Sequence, residues 1–402
     1  MSRMLSKKSF DFKDRFALRL NVLEPYLFCK LAEAKKRSKK ELIDLGAGDP
    51  DLFPPKKIIE TIKKEALKPE NHRHPVYEGI FELKEAIVEW FYQRFRVRLD
   101  PKKEVLVLAG SKEGLGLISW AILNRGEEAL VPDPGYPIYR RSVLLCGGKP
   151  VFFPLLEERN WLLDFEKIKT RPKTKLLFLN YPHNPTGAVL DSDFFEKIYS
   201  FAKKNQIIVC NDMAYSEITF DGYISPSLLQ IKGAKNLCLE FYSFSKTYSM
   251  TGWRLGFVVG NRDLIDALFK VKVTSNSGVF HLIQKAGITA LRLPKKEVEK
   301  IKEIYQKRRD ILTDGLVRLG WKVKRPKGTI YLWAKIPNFS SKKRDSKKFC
   351  LNLLKKKGIL TTPGVGFGEN GEGWVRFSLT TKVENINRAL KRMENSDFQE
   401  LN

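Results

Sequence analysis

Three apolar runs, each followed at once by polar residues, constrain the fold of this chain more than any other feature. The runs cover residues 176–179, 207–210 and 237–242, and each has the length and composition of a buried strand. The residues after them carry amide, carboxylate, hydroxyl and cationic side chains. In α/β enzymes, the loops that leave the strand ends hold the chemistry. The pattern therefore predicts an α/β fold whose functional residues lie in these loops.

The order of strand-like and helix-like segments predicts two domains. Residues 51–290 alternate the two patterns, which indicates a mainly parallel sheet covered on both faces. A long amphipathic helix at 297–319 and short strands around a glycine-rich turn follow, a pattern typical of a smaller α+β unit. We predict an N-terminal arm with part of the small domain at 1–50, a large domain at 51–290 and a C-terminal small domain at 291–402. Besides the three apolar runs, the sequence predicts strands at 104–109, 129–132, 329–334 and 374–379, and a helix at 114–123.

The large positive charge does not by itself indicate a nucleic-acid partner. The formal net charge is +27, yet the lysines are spread along the chain in pairs such as Lys35-Lys36 and Lys63-Lys64, mostly within helical patterns beside glutamates. No stripe interleaves them with aromatic residues, as a nucleic-acid-binding surface would. We therefore interpret the lysines as solvated faces and predict no nucleic-acid partner.

Several classes of protein are excluded by what the sequence lacks. No stretch of about 18 apolar residues is present, so no transmembrane helix and no membrane partner are predicted. The basic N-terminus has no apolar segment behind it and does not resemble a secretory signal. The five cysteines are scattered and lack the histidine spacing of a zinc site. We expect reduced cysteines, a cytoplasmic location and no metal site.

The segment 243–254 combines side chains that one particular cofactor requires. Lys246 can form an imine with an aldehyde. The hydroxyls of Ser243 and Ser245, together with Arg254, can hold a phosphate group. The compound that needs a lysine, hydroxyls and an arginine at once is pyridoxal 5′-phosphate.

Two further segments extend this interpretation to a family. Residues 180–187 read Asn-Tyr-Pro-His-Asn-Pro-Thr-Gly, and residues 211–215 read Asn-Asp-Met-Ala-Tyr. In order, spacing and strand context, the three segments resemble those of the fold-type I pyridoxal-phosphate-dependent aminotransferases, and the resemblance covers nearly the whole chain. It implies a mostly parallel seven-stranded sheet between helices, a smaller α+β domain, and a homodimer with shared active sites. Amino acids and 2-oxo acids would be the substrates.

The resemblance assigns the central roles to four residues. Lys246 would carry the cofactor and then move a proton between the substrate Cα and the cofactor. Asp212 would pair with the pyridine nitrogen and keep it protonated. Tyr215 and Asn184 would bind the phenolic oxygen of the cofactor, and Asn184 would also contact substrate.

The phosphate group of the cofactor would be shared by two segments. Ser111 and Lys112 lie in Gly-Ser-Lys-Glu-Gly, which ends a strand and opens a helix, so that backbone N–H groups point at an anion. By the resemblance they would act with Ser243, Ser245 and Arg254.

Three other residues would contact the cofactor ring or the substrate. The resemblance places Tyr136 on the face of the pyridine ring. Arg376 sits between apolar neighbours on a predicted strand, where an arginine is costly unless it meets an anion. The family uses the matching arginine to grip the substrate α-carboxylate, and Gly48 would let the backbone approach the same group.

Five segments, at 45–51, 74–79, 109–114, 211–223 and 246–254, narrow the resemblance. In them the chain most resembles the bacterial LL-diaminopimelate aminotransferases, which form LL-diaminopimelate from tetrahydrodipicolinate with glutamate as donor in lysine biosynthesis. Glu78 is a candidate for binding the distal ammonium group of that substrate. Two positions depart from the family. His74 stands where a tyrosine usually reaches the phosphate of the partner subunit, and Asn276 stands where close relatives carry aspartate.

Other functions remain open at this point. A related aminotransferase for aspartate, alanine or aromatic amino acids would use the same cofactor residues, and so would a C–S lyase. A non-enzymatic regulator with this fold would need an attached DNA-binding domain, for which about 45 residues before the first motif are too few. A basic nucleic-acid binder would reveal itself by salt-sensitive binding to DNA.

Overall fold

Strands and helices alternate along most of the chain. The computed structural model describes residues 15–23, 33, 35, 41–337 and 345–394. The strands are β1 (Ile43–Asp44), β2 (Val105–Leu108), β3 (Glu128–Asp133), β4 (Lys149–Pro154), β5 (Thr174–Asn180), β6 (Ile208–Asp212), β7 (Cys238–Ser243), β8 (Gly256–Gly260), β9 (Lys322–Val323), β10 (Tyr331–Lys335), β11 (Ile359–Leu360), β12 (Thr362–Pro363) and β13 (Trp374–Ser378). The α-helices are α1 (Lys56–Glu65), α2 (Phe81–Phe95), α3 (Ser111–Ile122), α4 (Ile138–Leu145), α5 (Ser192–Lys204), α6 (Phe244–Thr247), α7 (Arg262–Ser275), α8 (His281–Leu291), α9 (Lys295–Arg318), α10 (Ser346–Lys357) and α11 (Val383–Glu394).

A seven-stranded sheet in the order β2-β8-β7-β6-β5-β3-β4 carries the larger core. Strand β8 is antiparallel to both of its neighbours, and the remaining pairs are parallel. Successive side chains enter two different cores: Val107 packs into one, whereas Leu106 and Leu108 pack into the other. Both faces of the sheet are therefore buried, which explains the continuous apolar runs in the sequence. The predicted mostly parallel sheet of seven strands is confirmed.

The register of three neighbouring strands brings the polar segments together. Asn180, the last residue of β5, pairs with Asp212, the last residue of β6. Asp212 in turn pairs with Phe241 near the end of β7. Because these strands are parallel and end at the same level, the loops that follow them begin side by side.

A second, smaller core is built mainly from the C-terminal part of the chain. Strands β12-β13-β10-β9 form an antiparallel sheet, and β1 pairs with β11 beside it. The loop after β6 also packs into this core through Tyr215, Ile218 and Phe220. The Phe220 amide donates to the carbonyl of Lys327 at 2.9 Å, so this loop is hydrogen-bonded to the segment that precedes β10. The division into domains at residues 50 and 290 stays a prediction.

Individual elements differ from the sequence-based expectation mainly at their ends. Helix α3 begins at Ser111, before the expected start at residue 114. Strands β4 and β8 were not predicted. Strand β4 lies at the edge of the sheet and contains Pro150 and Pro154, which weaken a strand pattern.

The described residues also bear on membranes, metals and disulfides. Within them, no helix is long and apolar enough to cross a membrane. They contain no cluster of three or more His, Cys, Asp or Glu side chains arranged to hold a metal ion. Cys146, Cys210, Cys238 and Cys350 are unpaired, and Cys29 lies outside the described residues.

Two consecutive arginines on α9 fasten neighbouring segments to the smaller core. Arg308 donates to both carboxylate oxygens of Asp51, at 2.6 and 2.9 Å. Arg309 does the same for Asp221, at 2.6 and 2.8 Å, and also donates to the Pro326 carbonyl at 3.0 Å. The Arg309 side chain is only 1% exposed, so its guanidinium group depends on these protein partners for its hydrogen bonds.

Replacing Arg309 by methionine is therefore expected to destabilise the fold. The variant would leave the buried Pro326 carbonyl without its donor and would remove the ion pair with Asp221, and we expect a loss of about 2 kcal/mol in the free energy of unfolding. Urea denaturation would measure it. Arg388→Met is the matched control, because Arg388 pairs with Glu41 and both side chains are well exposed. It should change the free energy by less than about 0.5 kcal/mol; equal losses in the two variants would contradict the argument.

Candidate active site

A cavity of about 710 Å³ lies at the carboxyl ends of β5, β6 and β7, where the larger sheet meets the smaller core. It collects residues that are far apart in the sequence but were predicted to act together. The predicted site residues that line it are Gly48, Ser111, Lys112, Tyr136, Asn184, Asp212, Tyr215, Ser243, Ser245, Lys246, Arg254 and Arg376.

Asp212 is a buried carboxylate with a single side-chain donor among the described residues. It is 4% exposed and ends β6. The Tyr139 hydroxyl donates to it at 2.8 Å, and the Ala214 amide donates at 3.2 Å. Burial raises the pKa of Asp212 from 3.8 to about 6, although these two hydrogen bonds act in the opposite direction. A carboxylate in this state will gain stability from a cationic partner placed in the cavity.

Lys246 lies in α6, the short helix after β7, and lines the same cavity as Asp212 and Gly48. Its ammonium group donates to the Gly48 carbonyl at 2.5 Å. Burial lowers the pKa of Lys246, and the negative charges that Tyr331 and Asp49 can carry oppose that shift. The neutral amine, which is the nucleophilic form, is therefore more accessible here than on a solvated lysine.

Arg376 reaches the cavity from β13 in the smaller sheet. It is 1% exposed, yet it donates to the Asn184 side-chain oxygen at 2.9 Å and to the Gly46 carbonyl at 3.0 Å. Its guanidinium carbon lies 3.8 Å from the centre of the Tyr331 ring. These contacts hold the guanidinium group at the wall of the cavity, where its charge and its N–H groups suit an anion.

An anion-binding corner forms where α3 begins. Gly110 precedes α3 with φ of +80°, and a Cβ atom there would lie 2.3 Å from a terminal nitrogen of Arg254. Arg254 itself adopts a left-handed backbone conformation, φ 55°, which is uncommon for a residue with a side chain. Its guanidinium donates to the carbonyls of Thr251 and Ala109. Together with the N-terminus of α3 and the Ser111 side chain, it makes a site suited to phosphate.

Serine and aromatic side chains complete this end of the cavity. Ser243 caps α6 by accepting from the Ser245 amide at 3.2 Å. Lys112 is exposed beside Ser111. Tyr136 lines the same cavity and packs edge-on against Tyr139, with 5.9 Å between ring centres.

His74 and Glu78 do not line the cavity of their own chain. His74 is exposed and packs against Tyr77, with 5.5 Å between ring centres. Glu78 is also exposed and lies 3.4 Å from the ammonium of Lys84. Their predicted roles would therefore have to be exercised in a second subunit. Asn276 lies near them: it accepts from Lys272, which also donates to the Tyr77 carbonyl.

Comparison with known proteins places this geometry in a family. The family model described as aminotransferase class I and II matches residues 40–393. The chain belongs to this family. It is 46% identical to the LL-diaminopimelate aminotransferase of Halothermothrix orenii over 95% of this chain and 98% of that protein. It is 45% identical to that of Aquifex aeolicus, over 96% and 99%.

Solved structures agree with this aminotransferase fold. Substrate-bound BacF from Bacillus subtilis is 37% identical, with a TM-score of 0.90 over 94% of this chain and 97% of that one. An aspartate aminotransferase variant from Thermus thermophilus is 30% identical, with a TM-score of 0.86 over 94% and 98%.

Sequence reasoning missed three residues that shape the aminotransferase cavity. Tyr139 follows Tyr136 by three residues, at the start of α4, and that spacing was the available signal. Asn180 opens the 180–187 segment; its side chain donates to the Asp212 carbonyl at 2.7 Å and accepts from the Asn184 amide at 2.8 Å. Tyr331 starts β10, and nothing in the sequence marks it.

The raised pKa of Asp212 leads to a prediction about stability. Because the folded protein holds this proton more tightly than the unfolded chain, stability falls as pH rises from about 4 through about 6. In cofactor-free protein at pH 8, Asp212→Asn should therefore be more stable than the unaltered chain, by up to about 3 kcal/mol. Urea denaturation at pH 4 and pH 8 measures this, and the difference should vanish at the lower pH.

Asp221→Asn provides a control of opposite sign. The hydrogen bond from Arg309 lowers the pKa of Asp221, so its charge stabilises the fold at pH 8. This variant should lose stability there. A lower free energy of unfolding in both variants at pH 8 would show that burial does not destabilise the charged form of Asp212.

Proposed function

We propose that this chain is a pyridoxal-phosphate-dependent aminotransferase that converts tetrahydrodipicolinate and glutamate to LL-diaminopimelate and 2-oxoglutarate. One observation carries the reaction type: Lys246, Asp212 and Arg376 line a single cavity together with Ser111 and Arg254 of the anion-binding corner. The choice of substrate is supported by relatives of that name, which are 42–46% identical over nearly the full chain.

The residues fit the proposed cofactor in charge and in shape. Arg254, with the Gly110 backbone against it, would hold the phosphate together with Ser111, Lys112, Ser243 and Ser245. Asp212 lies deeper in the cavity, where its raised pKa calls for a cationic partner such as a protonated pyridine nitrogen. When bound, pyridoxal phosphate supplies an aldehyde to an amine and a ring that accepts electrons from the substrate Cα.

The side chains of this protein would divide the remaining work. Burial makes the neutral form of Lys246 Nζ easier to reach. This amine would move the proton between the substrate Cα and the cofactor. Asp212 would keep a proton on the ring nitrogen. Arg376 would bind the substrate α-carboxylate through two parallel hydrogen bonds. The side-chain oxygen of Asn184 accepts a hydrogen bond from Arg376 and so fixes the orientation of the guanidinium group. Tyr136 would cover one ring face, and Tyr215 would donate to the phenolic oxygen.

The quaternary structure and location belong to the same proposal. His74 and Glu78 lie outside their own cavity, which supports a homodimer in which each supplies the site of the partner subunit. The unpaired cysteines among the described residues support a reducing compartment, and we propose the cytoplasm.

A panel of amino donors and acceptors tests the proposed reaction directly. Purified protein with pyridoxal phosphate should form glutamate from LL-diaminopimelate and 2-oxoglutarate faster than from aspartate, alanine or phenylalanine. A higher kcat/KM with one of those three would replace the substrate assignment while keeping the reaction type. Release of pyruvate from cystathionine would indicate a C–S lyase instead.

Lys246 is expected to be the only lysine that carries the cofactor. Borohydride should abolish the absorbance of the lysine-bound form and fix the label to one peptide. Lys246→Ala should lose this label and nearly all turnover, whereas Lys235→Ala, a surface lysine paired with Glu104, should keep both. A label on any other peptide would refute the assignment.

Arg376→Lys should separate charge from fork geometry. Lysine keeps the positive charge but cannot make two parallel hydrogen bonds to a carboxylate, so the KM for glutamate should rise roughly 100-fold. Steady-state kinetics measures this against Arg388→Lys, a change at an exposed arginine that does not line the cavity. Equal KM values for the two variants would mean that Arg376 does not bind the carboxylate.

A shared active site predicts complementation between subunits. Lys246→Ala and His74→Glu should each be poorly active, the second because a carboxylate repels the phosphate of the partner site. Mixed and reassembled, they should recover roughly a quarter of the unaltered activity, since half of the dimers are hybrid and each hybrid has one intact site. Activity no greater than the sum of the separate variants, or a monomer in sedimentation, would contradict the dimer.

A further inference from the structure

The buried tyrosine Tyr331 contacts three parts of the proposed site, and the roles proposed above do not include it. Tyr331 is 4% exposed and lines the cavity from the start of β10. The Tyr215 hydroxyl donates to its hydroxyl at 3.3 Å. A Cβ atom on Gly48 would lie 1.8 Å from the same hydroxyl oxygen, so the two are in direct contact and residue 48 has no room for a side chain.

The ring of Tyr331 has a separate task. The Arg376 guanidinium lies over it at 3.8 Å and is held on another side by Phe367 at 4.8 Å. A cation on an aromatic face is stabilised most where water is excluded. The ring therefore supports the arginine that is proposed to bind the substrate carboxylate, while the hydroxyl points to Tyr215.

We infer that Tyr331 is a positioning residue with two separable functions: its hydroxyl takes the hydrogen bond of Tyr215 away from the cofactor oxygen, and its ring holds Arg376 for the substrate carboxylate. This inference rests on the proposed function and adds to it a residue that no part of the sequence pattern marks.

The hydroxyl function follows from the direction of one hydrogen bond. A phenol has a single proton to donate. In this structure the Tyr215 proton goes to Tyr331, so it is only partly available to the phenolic oxygen of the cofactor. Removing the Tyr331 hydroxyl leaves that oxygen as the acceptor for Tyr215. The ionised phenolic oxygen is then better stabilised, and the lysine-bound form gives up its proton at lower pH.

The charges around Tyr331 act in the same direction. Burial would raise the pKa of Tyr331, but Arg376, Lys246 and the hydrogen bond from Tyr215 together lower that pKa. Whatever negative charge the phenol carries favours a protonated neighbour, and removing the hydroxyl removes that charge. The titratable and charged groups that face Tyr331 from the surrounding elements are Arg376, Lys246, Tyr215, Asp49 and Tyr305.

Tyr331→Phe tests the hydroxyl alone. In the pyridoxal-phosphate-loaded protein, absorbance of the lysine-bound form is titrated against pH, and the midpoint should fall by about half a pH unit relative to the unaltered chain. The KM for glutamate should stay within about threefold, because the ring under Arg376 is kept. An unchanged midpoint, or one that rises, would overturn the hydroxyl function; a rise would mean that Tyr331 donates to Tyr215.

Tyr305→Phe is the matched control. Tyr305 is a buried tyrosine on α9 near Tyr331, and its hydroxyl has no hydrogen-bond partner among the described residues. Losing this hydroxyl should leave the midpoint within about 0.1 pH unit. An equal shift in both variants would show that any lost tyrosine hydroxyl perturbs the site, and the inference would fail.

Tyr331→Leu tests the ring. Without the aromatic face, Arg376 loses its support and the KM for glutamate should rise about tenfold over that of Tyr331→Phe. Far-UV circular dichroism and the borohydride label on Lys246 establish that the variant is folded and loaded. If it is not, the phenylalanine variant still decides the hydroxyl function. Equal KM values for the two variants would refute the ring function.

These outcomes separate the inference from the function on which it rests. An unaltered protein that binds no pyridoxal phosphate, or binds it and does not transaminate, would reject the proposed function and this inference with it. An unaltered protein that transaminates, beside a phenylalanine variant with no shift, would reject only the role of the Tyr331 hydroxyl.

Discussion

The burial of Arg376 is the constraint on which the arrangement of the site depends. A guanidinium group that is 1% exposed must find its hydrogen bonds inside the protein. It finds them on Asn184, from the loop after β5, and on Gly46, from the segment after β1, while Tyr331 and Phe367 flank it with aromatic faces. These partners belong to both sheets. A single charged side chain thus brings the larger sheet, the N-terminal segment and the smaller sheet to one point.

Much of the fold could be predicted from sequence because its central strands are buried on both faces. Such strands appear as unbroken apolar runs, and β5, β6 and β7 were found that way together with the loops that follow them. The edge strand β4 escaped because exposed positions and prolines interrupt its pattern. The short strands β1, β11 and β12 have two residues each, too few for any periodicity to show.

Site residues could be predicted where the residue type and its neighbours in sequence indicate the chemistry. They could not be predicted where the role depends on a contact with a residue distant in sequence. Asp212 is the last residue of β6 and Lys246 follows the end of β7, and the structure brings them to one cavity. Tyr139 matters because its hydroxyl reaches Asp212, and Tyr331 because its ring lies under Arg376. Those contacts join residues separated by 73 and by 45 positions, and a tyrosine in an apolar stretch is more often packing than function.

Burial shifts the pKa values of the two central ionisable groups in opposite directions, and these shifts indicate which kind of ligand the site favours. It raises the pKa of Asp212 to about 6 and lowers the pKa of Lys246, so each is pushed toward its neutral form. A neutral amine is the form that attacks an aldehyde. A carboxylate whose charged form is destabilised by burial is stabilised when a cation lies beside it. The cavity therefore favours a ligand that offers both an electrophilic carbonyl to Lys246 and a protonated nitrogen to Asp212. Such a ligand would offset the cost of burying these two groups, which links tight binding to the chemistry that follows.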